Sequence, residues 1–427
     1  MASDPPARPL QDVTVLDMTS ALAGPFCSLL LAGLGARVIK IEAPGRGDGN
    51  RDQPPYLGRD GVSLTRRHDD DMSVGFMNRS RSKQSVTLDL KHPDAAAIFA
   101  DLVRVSDVVL ENFSPGTAGR LGVDYDVVRT INPRAVYCSI SGFGSAGGPG
   151  RDRAYDTIVQ ALSGLMMTSG ETGGPPVKIG IPIADLAAPL YGTIGVLAAL
   201  NQARWSGEGQ HVDVSMLGTL TSIVSCEPFS VLEECGIPTR TGETVPRLSP
   251  FGIYQAADAY VAICAGNDKL FALLAGAMGL QDLASDPRFT TRDARAGNWR
   301  AIDVVVGEWV GRHTVASVVE TLSTAGVPVA PVREPSEAAH DPEVIARGET
   351  EPLRHPTYPE ARPNLRGPGV PIVFSGAESS LSNPAPLLGE HNHPVYGGLL
   401  GYSAERIAAL VESGAITRSV RDGEARV

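Results

Sequence analysis

One carboxylate, Asp185, stands out because it separates a Pro- and Gly-rich approach from a long apolar stretch. The segment 186–200 contains no charged residue, which predicts a helix that is buried on nearly all sides. An aspartate at this boundary suits a helix cap, with its side-chain oxygens facing free backbone N–H groups. The alternative is chemical, because a carboxylate is also a candidate nucleophile for covalent catalysis. The segment alone favours the structural cap.

A second candidate group is the basic run at 78–85, which contains Arg79, Arg81 and Lys83 just before a short predicted strand. Such a run is typical of a solvated surface. The alternative is a phosphate-binding patch, since cations at a loop suit phosphate oxygens. The run by itself favours the solvated surface.

Several common catalytic patterns are missing from the sequence, namely GxSxG, HExxH and GxxxxGK[ST]. The segment 142–147 matches the dinucleotide pattern GxGxxG, but Gly-Pro-Gly follows at 148–150 where a helix should begin. We therefore do not interpret it as a nicotinamide site. Apart from His391 and His393, the histidines show no ligand spacing, so no metal is expected, and His211 is interpreted as structural.

The composition excludes some classes of partner. The chain has 427 residues and a net charge of −11, which disfavours binding to nucleic acid or an anionic membrane. Five cysteines without CxxC spacing indicate neither a zinc site nor a disulfide framework. No signal peptide is visible, and 186–200 is too short for a membrane span. We expect a cytoplasmic protein.

The order of predicted elements indicates an α/β fold. A strand at 12–17, a helix at 26–34 and a strand at 37–42 form a βαβ unit, which implies a parallel sheet. Further strands are predicted at 107–111 and 135–140. Such sheets bind ligands beyond the carboxyl ends of their strands. The turns after these strands are therefore candidate ligand contacts.

A single helix is predicted at 217–235, and the composition changes at 236–250, where a domain boundary is expected. A hairpin at 251–255 and 259–263, followed by helices, predicts a small α+β domain. The predicted organisation is a large Rossmann-like domain at 1–205, a linker at 206–240, the small domain at 241–335 and a C-terminal segment at 336–427 that returns to the large domain.

Seven stretches occur in an order that resembles a known family. They are VLDMT (15–19) with AGP (23–25), GARVIKIE (35–42), KQSVTLDL (83–90), ENFSPG (111–116), PIAD (182–185), GEGQHVDVS (207–215) and GEH (389–391). Together they resemble family III CoA-transferases, the group that includes formyl-CoA transferase and carnitine CoA-transferase. The resemblance spans nearly the whole chain.

The resemblance implies an interlocked, ring-like homodimer, in which each subunit has a Rossmann-like domain and a small domain. It implies that CoA moves from an acyl-CoA donor to a carboxylic acid. Asp185 would attack the thioester to give a mixed anhydride and then an aspartyl-CoA thioester, which makes the nucleophile the favoured interpretation of this residue. Neighbouring N–H groups would stabilise the oxyanion. CoA is then a substrate, and no tightly bound cofactor is expected.

The resemblance also places the CoA contacts. They fall on Leu22, Ala23, Ala43, Ser80, Arg81, Ser82, Lys83, Asn112, Phe113, Ser114, Arg120, Ser141, Gly142, Phe143 and Gly144. Lys83 and Arg120 are the expected phosphate cations.

The sequence departs from formyl-CoA transferase at three of these positions. That enzyme has Gln in place of Leu22, Arg in place of Ala43 and Lys in place of Ser141. The departures argue against formate or oxalate as substrate. They also suggest that Arg46 or Arg51 replaces the missing cation at a CoA phosphate.

Two other functions stay open. The family contains α-methylacyl-CoA racemases, which pair the aspartate with a histidine base, but the matching residue here is Tyr155, beside Asp156. A phenol with a pKa of about 10 is a poor replacement, so a transferase is preferred over a racemase or epimerase. A non-catalytic acyl-CoA-binding protein is the other alternative.

A finer resemblance narrows the class of carboxylic acid that would accept CoA. The segments 262–271 and 277–279 resemble the branch that uses succinyl-CoA with C4–C5 dicarboxylates. A dicarboxylate acceptor requires a second cation in the pocket, and Arg79, Arg81 and Arg247 are the candidates.

Overall fold

The computed structural model describes residues 7–147 and 154–418, which fall into two compact units. The larger unit comprises Met1–Ser163, Gly180–Ile223 and Ala339–Val427, and the smaller comprises Gly164–Ile179 and Val224–Ala338. The smaller unit thus includes a segment that precedes Asp185 in sequence. The domain limits predicted from the sequence remain a prediction.

The strands follow in chain order. They are β1 Thr14–Asp17, β2 Arg37–Glu42, β3 Tyr56–Gly58, β4 Gly61–Ser63, β5 Met72–Ser73, β6 Lys83–Thr87, β7 Val108–Glu111, β8 Val136–Ser141, β9 His211–Ser215, β10 Phe251–Gln255, β11 Tyr260–Cys264, β12 Val329–Pro331, β13 Thr350–Pro352 and β14 Arg366–Pro368.

The helices follow in the same way. They are α1 Ala23–Gly33, α2 Val74–Ser80, α3 Ala95–Arg104, α4 Thr117–Leu121, α5 Tyr125–Ile131, α6 Asp156–Leu162, α7 Ile183–Ser206, α8 Met216–Val224, α9 Phe229–Glu234, α10 Asp268–Ala277, α11 Arg292–Gly297, α12 Trp299–Val310, α13 Val315–Thr324, α14 Pro335–Ala339, α15 Pro342–Ala346 and α16 Ala404–Glu412.

The larger unit is built on a six-stranded sheet in the order β6-β2-β1-β7-β8-β9. Every neighbouring pair in it is parallel. This is the doubly wound order of nucleotide-binding folds, and the direction of winding reverses between β1 and β7. The predicted α/β fold with a parallel sheet is confirmed. The crevice beyond β1 and β7 is the expected ligand site.

Helix α7 differs from its prediction in burial. It packs against α1, α6, β8 and β9. Its outer face nevertheless exposes large apolar side chains, namely Leu190, Tyr191, Ile194 and Trp205. The expectation that this helix is buried nearly all round is therefore wrong. Length and composition would also allow α7 to cross a membrane, a weak criterion that core helices of soluble proteins meet as well.

One local prediction also needs correction. The single helix predicted at 217–235 is two helices, α8 and α9, and Pro228 stands at the N-cap of the second. Proline lacks the N–H that would continue the first helix. The segment between β2 and α2 contains a small antiparallel sheet in the order β4-β3-β5.

The smaller unit has a core of its own. Strands β10, β11 and β12 form an antiparallel sheet, which confirms the predicted hairpin. Apolar residues of α10, α12 and α13 form one cluster with the buried residues of this sheet. An α+β arrangement results.

Buried charges lie under the sheet edge of the larger unit. Lys83 Nζ lies 3.1 Å from Asp17 Oδ2, and Lys40 Nζ lies 2.9 Å from Asp48 Oδ2. The side chains of Lys83 and Asp17 are both fully buried, and Lys83 also donates to Ser28 Oγ and Pro25 O. Lys83 therefore cannot reach a CoA phosphate, and its prediction as a phosphate cation is wrong.

We expect Lys83→Met to lower the free energy of unfolding by about 3–5 kcal/mol, because it leaves the Asp17 carboxylate buried without its partner. Chemical denaturation measures the change. Arg104→Gln is the control, since Arg104 pairs with Asp101 at the surface, where such pairs contribute little. A Lys83→Met protein that is as stable as wild type but no longer binds CoA would contradict the structural role.

Candidate active site

A cavity of 390 Å³ opens where the carboxyl ends of β1, β7 and β8 meet the start of α7. Asp185 and Tyr155 lie in its wall. Most of the remaining wall comes from three turns, through Ser20, Ala21, Leu22, Ala23, Asn112, Phe113, Ser114, Pro115, Ser141, Gly142 and Phe143. The strand-end turns identified in the sequence therefore meet at one cavity with Asp185.

Asp185 is the third residue of α7, and the N-cap position belongs to Pro182. The prediction that Asp185 caps the helix is thus wrong. Asp156 caps the start of α7 instead, because its Oδ1 accepts the Ala184 N–H at 2.7 Å. The N–H of Leu186 already donates to Pro182 O, so it too is engaged and not free for an oxyanion.

The Asp185 carboxylate is partly removed from water. Burial raises its pKa to about 6, the negative charge of Asp156 adds to the rise, and the positive charge of Arg79 opposes it. At pH 7 a group with that pKa is about nine-tenths ionised. Asp185 is therefore a carboxylate at neutral pH, and a more basic one than an ordinary aspartate.

The three candidate cations for an acceptor have different environments. Arg79 is close enough to Asp185 for their charges to interact, and its Nη1 donates to Asn50 Oδ1 at 3.3 Å. Arg81 is 1% exposed and donates to the carbonyl of Pro368. Arg247, in the smaller unit, forms a bidentate ion pair with Glu227. Arg79 is thus the candidate whose charge acts on the Asp185 carboxylate.

A strained turn leads into α1 at the cavity wall. Ala21 has a φ of 65°, a left-handed conformation that is uncommon for residues other than glycine. The Asn50 side chain donates to Ala21 O, and Asp48 Oδ1 accepts the Asn50 N–H at 2.9 Å. The sequence analysis missed both side chains. The Asp-Gly-Asn turn at 48–50 is the signal that it did not use.

A second cavity, of 370 Å³, adjoins the first and shares Ser20 and Phe113 with it. Ala43 and Arg46 lie in its wall, as does Lys91, which the sequence analysis did not identify. Lys91 and Arg46 are exposed and so are available to an anionic ligand.

Arg51, the other predicted replacement cation, is already engaged. Its guanidinium donates to both oxygens of Glu42, at 2.7 and 2.8 Å, and lies over the Phe76 ring. The prediction that Arg51 replaces the missing cation is therefore not supported by its contacts.

Two of the three turns that line the first cavity are tied to each other, and the third packs closely against the chain beside it. Asn112 Oδ1 accepts the Ser20 N–H and its Nδ2 donates to Ser20 O, each at 2.8 Å. Gly142 has no room for a side chain, because a Cβ there would lie 2.0 Å from Ala154 Cβ. The buried Ser141 hydroxyl makes no hydrogen bond within the described residues.

Other predicted CoA contacts do not line either cavity. Ser80 and Arg81 are buried, and Ser82 lines a different cavity with Arg37 and His391. The structure therefore separates the run 80–83 from the two cavities, because β6 begins at Lys83 and runs into the sheet. Gly144 and Arg120 lie outside both walls, and the exposed Arg120 donates to Thr117 Oγ1 at 2.7 Å.

No group of three or more His, Cys, Asp or Glu side chains within residues 7–147 and 154–418 is arranged to hold a metal ion. The reactive group that the cavity wall offers is the partly buried Asp185 carboxylate, on which the charge of Arg79 acts.

Comparison with known proteins gives consistent matches. The family described as CoA-transferase family III matches residues 10–392. An acetyl-CoA:oxalate CoA-transferase of Acetobacter aceti is 36% identical, over 90% of this chain and 94% of its own length. A succinyl-CoA–D-citramalate CoA-transferase of Chloroflexus aurantiacus is 35% identical, over 96% of this chain and 98% of its own. The crystal structure of a CAIB/BAIF family protein from Brucella suis matches with a TM-score of 0.78 at 31% identity, over 92% of this chain and 100% of the other.

The raised pKa of Asp185 can be tested chemically, because Asp185 is the only carboxylic side chain in tryptic peptide 179–204. Carbodiimide coupling requires the protonated carboxyl, so we expect Asp185 to react up to about pH 6, well above an ordinary aspartate. Arg79→Gln should extend the reaction to higher pH, and Asp156→Asn should restrict it to lower pH. Mass spectrometry of the peptide measures the coupling.

The matched reference is Glu412, an exposed residue and the only carboxylic side chain in tryptic peptide 407–418. Its pH dependence should be the same in all three proteins. If Asp185 stopped reacting at the same pH in both variants as in wild type, the two charges would not act on it.

Proposed function

Because the chain belongs to CoA-transferase family III, we propose that it transfers CoA from an acyl-CoA donor to a dicarboxylic acid through a covalent intermediate on Asp185. The observation that carries the proposal is the position of Asp185, a partly dehydrated carboxylate in the wall of the strand-end cavity, near Arg79.

In the first half of the reaction, CoA moves from the acyl group of the donor to the side chain of Asp185. An Asp185 oxygen attacks the thioester carbonyl of the donor, the C–S bond breaks, and CoA leaves as a thiolate. The product is a mixed anhydride between the donor acid and Asp185. The thiolate then attacks the Asp185 carbonyl, which releases the donor acid and leaves CoA on the protein as an aspartyl thioester.

The second half repeats these steps with the acceptor. The acceptor carboxylate attacks the aspartyl thioester, and the CoA thiolate leaves again. The thiolate attacks the acceptor carbonyl of the new anhydride, which forms the product thioester and restores the Asp185 carboxylate. No proton or oxidant is consumed, because over the whole cycle one thioester is broken and one is formed, and one carboxylate is taken up for each one released.

The surroundings of Asp185 favour attack for electrostatic reasons. Dehydration and the nearby Asp156 carboxylate raise the basicity of the nucleophile, while its position in the first turn of α7 keeps the ionised form stable. The Arg79 guanidinium carries the positive charge that offsets negative charge on the reacting carboxylates.

Arg79 also supports a dicarboxylate as the acceptor. One carboxylate of the acceptor must reach Asp185 to react, and a guanidinium beside Asp185 would bind the other. The two similar transferases are named for oxalate and D-citramalate, which are both dicarboxylates, although the first of these similarities runs against the sequence-based argument against oxalate. Their donors, acetyl-CoA and succinyl-CoA, are the two donors to test first.

CoA itself would lie along the two connected cavities. We propose Leu22, Ala23, Asn112, Phe113, Ser114, Ser141, Gly142 and Phe143 as contacts in the first cavity, and Ala43, Arg46 and Lys91 as contacts in the second. Arg46 and Lys91 are then the proposed phosphate partners. Arg120 and Gly144 remain predictions that neither cavity wall includes.

A homodimer remains part of the proposal. The exposed apolar side chains of α7, among them Leu190 and Ile194, form a surface that a second copy of the chain would cover. The interlocked arrangement rests on the resemblance alone.

We expect Asp185→Asn to lower the rate of CoA transfer on the order of a thousandfold or more, because an amide cannot form the anhydride. Wild type is incubated with succinyl-CoA or acetyl-CoA and a panel of mono- and dicarboxylic acids, and new CoA esters are identified by mass spectrometry. Asp12→Asn, a change at an exposed ion pair, is the matched control.

Transfer at the wild-type rate by Asp185→Asn would contradict the nucleophile. Exchange of the Cα hydrogen for deuterium without any new ester would instead favour the racemase alternative. Tight binding of acyl-CoA with neither reaction would favour the non-catalytic one.

The role of Arg79 is tested by comparing acceptors. We expect Arg79→Gln to raise the KM for a dicarboxylate about ten- to thirtyfold, because it removes a charged hydrogen-bond donor, and to leave the KM for a monocarboxylate nearly unchanged. The kinetics are measured at pH 8, where Asp185 is ionised in both proteins. An equal rise for both classes of acid would show that Arg79 does not read the second carboxylate.

A further inference from the structure

Strand β9 contributes to neither of the two proposed CoA cavities, yet its side chains hold the turns that do. We propose that His211, Asp213 and Ser215 of β9 are positioning residues for CoA binding, which set the turns at 112–116 and 141–147. The inference rests on the proposed function, because these turns are its proposed CoA contacts.

His211 acts on the first turn through a chain of three side chains. Its Nε2 lies 2.9 Å from Ser139 Oγ, and Ser139 is the strand partner of Glu111, where its hydroxyl is close enough to oppose the rise that burial causes in the pKa of the Glu111 carboxyl group. Glu111 Oε2 in turn accepts the Phe113 N–H at 2.7 Å. The chain therefore runs from the edge strand β9 across β8 and β7 to the residue that lines both cavities.

The sheet register brings these groups together. Glu111 is the partner of Ser139 in the β7–β8 pair, and Ser139 is the partner of Asp213 in the β8–β9 pair. Partner residues of adjacent strands project from the same face of a sheet. One polar row thus crosses three strands at their carboxyl ends.

Burial makes this row rigid. Ser139 and Glu111 are 2% and 6% exposed, so an unpaired polar atom there would be costly. The His211 ring is held on both sides, stacked on Tyr125 at 5.4 Å and edge-on to Tyr137 at 5.4 Å. The imidazole cannot turn away without losing these contacts.

Asp213 and Ser215 act on the second turn. The Asp213 carboxylate accepts the Ser145 N–H at 3.0 Å and the Ser145 hydroxyl at 2.7 Å, bonds that its charge strengthens. Ser215 Oγ donates to Gly142 O at 3.4 Å, and the Leu217 N–H donates to the same oxygen at 3.0 Å. The turn is therefore anchored near both of its ends.

Because the β9 residues act on the turns, their loss should weaken the binding of CoA and leave the chemical step unchanged. Phe113 and Gly142 line the cavity, whereas none of the three β9 residues does. Displacing the turns would weaken CoA binding and leave the Asp185 carboxylate with its own neighbours, Asp156 and Arg79. The interpretation of His211 as merely structural predicts instead that its loss lowers stability alone.

The test measures CoA binding by calorimetry for wild type and for His211→Ala, Ser139→Ala and Asp213→Ala. We expect the Kd for CoA to rise about tenfold in each variant, and kcat at saturating acyl-CoA to stay within about twofold. His211→Gln places an N–H group near the position of Nε2 and should recover most of the affinity.

Ser106→Ala is the matched control, because Ser106 is equally buried and donates to Leu102 O. It should lower the thermal midpoint as much as Ser139→Ala does and leave the Kd unchanged. Wild-type affinity for CoA in His211→Ala, Ser139→Ala and Asp213→Ala would overturn the proposal. So would a His211→Gln protein that binds CoA no better than His211→Ala. A wild type that binds CoA but transfers it to no acid would contradict the proposed function and not the positioning role.

Discussion

The partial removal of the Asp185 carboxylate from water is the constraint on which the rest of the larger unit depends. Dehydration is the largest cause of its raised pKa, and Asp156 adds to it while Arg79 limits it. A fully buried, unpaired carboxylate would take up a proton and lose its nucleophilic form. Because Asp156 raises the pKa of Asp185 and Arg79 opposes the rise, Asp185 is more basic than an ordinary aspartate but still ionised at neutral pH.

The fold brings residues that are distant in the sequence together around Asp185. The winding of the sheet reverses between β1 and β7, which opens the crevice where the proposed substrate lies. The paired hydrogen bonds of Asn112 to Ser20 fix the two turns across that crevice. Behind them, the buried Lys40 of β2 donates to Thr19 O at 2.6 Å and pairs with Asp48 at 2.9 Å. The turns are therefore held both by hydrogen bonds to each other and by side chains of the sheet.

Much of the fold could be predicted from the sequence because short, apolar-rich strands alternate with apolar helices in the larger unit. β2 was predicted with its observed limits, and Asp185 was identified from the apolar helix that follows it. Arg79 and Arg81 show where this reasoning ends. Only Ser80 separates the two arginines in a run that looks uniform, but the charge of Arg79 acts on Asp185, whereas Arg81 is buried against Pro368. Only the tertiary packing of α2 and β6 distinguishes them, since the partners come from distant parts of the chain.

The covalent intermediate on Asp185 is the central claim, and one measurement tests it most directly. Wild type is mixed with an acyl-CoA donor in the absence of acceptor, quenched in acid and digested with trypsin. Peptide 179–204, whose only carboxylic side chain is Asp185, is then examined for a CoA adduct by mass spectrometry. The account predicts CoA attached to Asp185 in wild type and converted to an Asp185 hydroxamate by hydroxylamine. An unmodified peptide from a preparation that transfers CoA once an acceptor acid is added would contradict it.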